Sequence, residues 1–164
     1  MIGQIVQVHS LREKALWLLV VMCALVLDES SFFDYRFNFT TLLVFYIGVQ
    51  WPISRAFLWA FMIGLVLDSL SLRLIGPHIL SKVIVVFLTY FFKTGIFNLA
   101  SLLSAILCFV FTIIDGIVVY ISLSLFDVRP TPPAAAINLI TFQAVVNSIM
   151  AYYLFEKNEQ QPHK

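Results

Sequence analysis

Charge is what this sequence has least of. Only 12% of its 164 residues are Asp, Glu, Lys or Arg, about half the ~25% of an ordinary soluble domain. Cysteine is scarce too. Cys23 and Cys108 each lie inside an apolar run, and both read as small packing residues rather than as a disulfide or a ligand set. There is no glycine-rich phosphate loop, no nucleophile elbow and no His/Glu zinc pair. The three histidines are scattered, and His78, beside Gly76-Pro77, reads as an interfacial loop residue without a second metal ligand. A net charge of +1 gives no basis for nucleic-acid binding. These absences predict no cofactor, no metal site and no enzymatic activity.

What is abundant is apolar surface. Hydrophobic residues make up 61% of the chain and the mean hydropathy is +0.96, against about 45–50% apolar residues in soluble domains. A core built from so short a chain cannot hide that surplus, so lipid is the expected solvent. A bilayer span needs about 20 apolar residues, and six spans use about 120 positions. The expected fold is therefore all-α: a polytopic integral membrane protein, one six-transmembrane-helix bundle with short loops. Its spans are expected near residues 16–32, 37–50, 57–72, 79–92, 99–126 and 134–155. Arg12, Lys14 and the apolar run that follows imitate a signal sequence. The run ends in Asp28-Glu29 without a small-x-small site, so an uncleaved first span is expected.

The breaks have chemical causes. Trp51-Pro52 and Gly76-Pro77 should stop helices, because proline lacks a donor and disfavours a helical residue before it. Thr131 reads as a helix cap with Pro132 in the first turn. Lys and Arg in the loops set orientation. Arg12, Lys14, Arg55, Lys93, Lys157 and Lys164 fall on one side; Arg36, Arg73 and Arg129 fall on the other. Both termini are thus expected in the cytoplasm. Trp17, Trp51, Trp59, Tyr90, Tyr152 and Tyr153 fall near that same interface, where amphipathic rings are favoured.

Polar residues within the spans are the candidate sites. An ionised group at a span's centre costs about 2.5–3.5 kcal/mol on insertion scales. Counted from the helix ends, Asp68 and Lys82 lie at matched depth on consecutive antiparallel spans, and the expectation is that they pair; a ligand-binding role or snorkelling of Lys82 are the alternatives. Asp115 falls near the middle of the fifth span with no cation on its own helix face. It is expected either to be protonated or to meet Gln143 or Asn147, which share a face of the sixth span. Ala56, Ala60, Gly64 and Asp68 form a stripe at four-residue spacing, suited to close helix packing or to a seam with a partner.

The segment Gly64-Leu-Val-Leu-Asp68-Ser-Leu, followed by Gly76, resembles the bacterial rod shape-determining protein MreD family. Other features are similar in order: Arg36 and Asn38 before the second span, Pro52 and Arg55 after it, and Asp115 in the fifth. Arg129-Pro130 in the last outer loop and Asn147 in the last span extend the likeness, which runs from Arg36 to Lys157. One departure is Phe37, where members often carry proline. The resemblance implies a non-enzymatic scaffold subunit of the cell-wall elongation machinery (the elongasome of peptidoglycan synthesis) in the inner membrane. The implied partners are the bitopic protein MreC and, through it, the MreB cytoskeleton, RodA and a penicillin-binding transpeptidase. A fold likeness of that family to substrate-binding subunits of energy-coupling-factor vitamin transporters supplies the alternative, with Asp68 and Lys82 as ligand groups.

Overall fold

The computed structural model describes residues 16–28, 31–32, 35–71, 74–94, 101–126 and 132–159. The described residues are all-helical apart from short connections and one small β-ribbon. In chain order come α1 (Leu16–Asp28), β1 (Ser31–Phe32), β2 (Tyr35–Arg36) and α2 (Phe39–Gln50). These are followed by α3 (Ile53–Ser71), α4 (Pro77–Thr94), α5 (Ser101–Phe126) and α6 (Pro133–Glu159). Among the described residues three of the six helices, α3, α5 and α6, are long and apolar enough to cross a membrane.

The helix ends follow from the punctuation. The Trp51 N–H closes α2 on the Ile47 carbonyl at 2.9 Å, and the Pro52 carbonyl then accepts from Arg55 and Ala56 to open α3. Gly76 turns the chain at φ 132°, a region L side chains rarely adopt, and its carbonyl accepts the Leu80 N–H as α4 begins at Pro77. In α6 the first helical residue is Pro133, one beyond the expected Pro132, whose carbonyl accepts from Ala136. The expected cap Thr131 lies outside the described residues. The first expected span is corrected most. Helix α1 stops at Asp28, and Ser31–Phe32 turn instead into an antiparallel ribbon with Tyr35–Arg36.

Helix α2 occupies the centre. Eight of its twelve residues are buried, from Thr40 to Gly48, which is what an all-round apolar sequence does when it is enclosed by its own chain. It packs against α3, α4, α5 and α6, while α3 pairs with α4 and α5 with α6. Phe45, wholly buried, meets Phe111 of α5 and Phe155 of α6 edge-on at 5.8 and 5.7 Å, the geometry aromatic quadrupoles favour. The outward faces are apolar as well: Leu58, Phe91, Leu102, Ile137 and Tyr153 are each more than 60% exposed. Soluble monomers rarely present apolar surface on that scale.

Small residues set the closest approaches. A Cβ built on Gly64 would lie 2.5 Å from the Ile79 Cα and 2.7 Å from its nitrogen, so the first turn of α4 rests on bare α3 backbone. Ala56 and Ala60, each 1% exposed, continue that stripe into the core. Within the described residues the stripe is therefore used for packing inside the chain, the first of its two expected uses, rather than as an open seam. Cys108 is buried as expected, whereas Cys23 is exposed, contrary to its reading as a packing residue.

Candidate functional site

Polar side chains converge where α2, α4, α5 and α6 meet. Lys82 enters from the second turn of α4 and is 0% exposed. Its ammonium donates to Asn38 Oδ1 at 3.1 Å, to Thr41 Oγ1 at 2.6 Å, and to both Asp115 oxygens at 3.1 and 2.9 Å. An ammonium has three protons, so the Asp115 carboxylate shares one between its oxygens. Asp115, 1% exposed, also accepts from Asn38 Nδ2 at 2.8 Å. The Thr41 hydroxyl has Asp115 Oδ2 at 2.8 Å and Asn38 Oδ1 at 2.7 Å within reach of its single proton.

The charge on each side is thus matched by the other and by neutral dipoles. Removing two ions from a polar solvent is expensive, and the attraction offsets that only when the remaining lone pairs and protons are also satisfied. Asn38 and Thr41 satisfy them here. Asn147 of α6 joins by donating Nδ2 to the Asn38 carbonyl at 2.8 Å and to Thr112 Oγ1 at 3.2 Å.

Two further carboxylates are compensated by helix ends. Asp68, 1% exposed, accepts from the backbone N–H groups of Gly76, His78 and Ile79 at 2.8, 3.0 and 3.2 Å. Asp28, at the end of α1, accepts from Phe39 and Thr40 N–H at 2.5 and 3.1 Å and from the Thr40 hydroxyl at 2.5 Å. Each carboxylate therefore caps the next helix in trans, where orphan donors and the positive end of the helix dipole favour an anion. Both reach a donor eleven residues on, Phe39 and Ile79 respectively.

Several expectations change on this geometry. Lys82 pairs with Asp115 (2.9 Å), not with Asp68, whose oxygens are taken by the α4 terminus. Asp115 meets Asn38, Thr41 and Lys82 rather than Gln143, which donates instead to the Arg36 carbonyl at 3.0 Å beside the ribbon. Asn147 reaches the node through the Asn38 backbone and Thr112, not through Asp115 itself. His78 belongs to the first turn of α4, where its N–H is one of the donors to Asp68.

Thr40, Thr41 and the inward position of Asp28 were missed by sequence reasoning, and Asn38 was singled out only through the resemblance, not as a partner of Lys82 and Asp115. The usable signal was Asn38-Phe-Thr-Thr, three polar residues opening an otherwise apolar helix.

Chemically, the node holds an ammonium and a carboxylate with every Lys82 donor engaged, and it joins four helices. Among the described residues no group of three or more His, Cys, Asp or Glu is placed to hold a metal ion. No protein-family model, no curated protein and no solved structure matches the chain.

Proposed function

We propose that this chain is a six-span scaffold subunit of the bacterial cell-wall elongation machinery, resembling the MreD family and acting by binding other membrane proteins. The observation that carries this reading is where the residues of the resemblance lie. Asn38, Asp115 and Asn147 are bonded into one node; Gly64, Asp68 and Gly76 form one helix junction. The ordered pattern is a framework: it fixes how helices pack and leaves the outer surface to contacts. That is the economy of a scaffold.

In this reading α1, α2 and α4 also cross the membrane. Helix α2, about 18 Å long at 1.5 Å per residue, falls short of the ~30 Å hydrocarbon core but is enclosed by the other helices. Both termini face the cytoplasm of the inner membrane. MreC is the first partner, with RodA and a penicillin-binding transpeptidase beyond it. The vitamin-transporter alternative is weakened because Asp68 and Lys82, its candidate ligand groups, are both engaged within the chain.

Depleting the protein from a rod-shaped native cell tests the reading. Cells should widen and round as side-wall peptidoglycan insertion falls, and unchanged shape with unchanged insertion contradicts it.

A further inference from the structure

Helix α1 lies antiparallel to α2. Trp17 and Tyr46 meet at one end (ring centroids 5.9 Å apart), and Asp28 caps Phe39 at the other. Between these ends the two helices leave an open groove of about 550 Å³, lined among others by Trp17, Cys23, Leu27, Phe39, Tyr46 and Leu154. From Trp17 to Leu27 it runs about 15 Å at 1.5 Å per residue, the depth of one leaflet of a ~30 Å core.

A chain of about sixteen methylenes, each close to the ~30 Å³ of a water molecule, fills roughly 480 Å³, which matches the groove to one acyl chain.

Charge at the Trp17 end selects the headgroup. Trp17 packs edge-on against Trp51 at 5.2 Å, and Lys93 Nζ lies 3.4 Å from the Trp51 carbonyl. Arg55 is exposed in the first turn of the following helix. Arg55 and Lys93 thus flank the Trp17 end of the groove, and basic residues at a membrane surface attract anionic lipid.

We infer that the α1–α2 groove is a binding site for one anionic phospholipid, its acyl chain lying between Trp17 and Leu27 and its phosphate at the Arg55/Lys93 end. The inference rests on the chain's being embedded in lipid, and is independent of its cell-wall partners.

Cys23, exposed on the groove wall, supplies the test. The full-length protein is extracted from native membranes in mild detergent, washed, and analysed by native mass spectrometry with lipid extraction. Phosphatidylglycerol or cardiolipin should remain on the wild type and on Cys23→Ala. Retention should fall about tenfold, the equivalent of 1.4 kcal/mol, on Cys23→Trp, which fills the groove. Arg55→Gln/Lys93→Gln should keep a lipid but lose the preference for anionic headgroups. Maleimide labelling of Cys23 gives a readout that needs no variant: it should speed up once lipid is stripped. A wild type with no retained lipid, equal retention by Cys23→Trp with headgroups in bulk-membrane proportion, labelling indifferent to delipidation, or a partner protein released by Cys23→Trp would each overturn the site. Lipid retention without cell-wall partners would leave the site standing and defeat only the scaffold reading.

Discussion

Lys82 Nζ and Asp115 Oδ2 lie 2.9 Å apart, each side chain no more than 1% exposed, and neither can be removed without stranding the other. Truncating one member of a buried pair typically costs about 3–5 kcal/mol, whereas replacing both by apolar residues of similar volume is often close to neutral. Lys82→Met and Asp115→Leu should each lower the melting temperature in detergent sharply. The double variant should recover much of the loss, although Asn38 Nδ2 then lacks its Asp115 acceptor. A double variant whose loss is the sum of the two single losses would show that the two sites are not energetically coupled.

The glycines should separate by what their missing side chains would strike. At Gly64 the obstacle is the Ile79 and His78 backbone, from 2.5 Å. Gly64→Ala should cost about 1–3 kcal/mol, with no side-chain change at Ile79 restoring it. At Gly116 the obstacle is only the Ile140 side chain, from 2.7 Å, so Ile140→Ala should rescue Gly116→Ala. Thermal unfolding of the four variants settles the order.

Asp68 should behave as a helix cap. Asp68→Ala strands three donors at the start of α4; losing a cap typically costs about 0.5–2 kcal/mol. Asp68→Asn retains an acceptor and should lose less. Equal melting temperatures for wild type, Asn and Ala forms would refute the capping role.

Topology is open to direct labelling. With Cys23 and Cys108 replaced by alanine, single cysteines at Lys14 and Lys157 should react with an impermeant maleimide only after cells are permeabilised. One at Arg36 should react in intact spheroplasts. Any other pattern contradicts six spans with both termini inside.

Helix positions were largely legible because proline and glycine mark them: the breaks at Trp51-Pro52 and Gly76-Pro77 fall where the chain turns. The ion pair was not legible. Depth counted from the helix ends matched Lys82 with Asp68. Lys82 is five residues inside α4 and Asp115 eleven from the end of α5, about 7.5 and 16 Å at 1.5 Å per residue. They meet because α5 extends farther than α4 on that side, which no local periodicity encodes. The capping role of Asp28 was not legible for a similar reason: its partners are the orphan donors of the next helix, and a capping box is recognisable in sequence only when cap and helix are contiguous. The Gly64/Asp68 stripe was recognised as a packing element, but which surface it packs against required the position of Ile79.

If the chain acts by holding other membrane proteins, affinity purification of the tagged protein from gently solubilised native membranes, with partners identified by mass spectrometry, should recover MreC together with RodA and a penicillin-binding transpeptidase. Recovery of ATPase subunits with a coupling protein, and of none of these three, would contradict it.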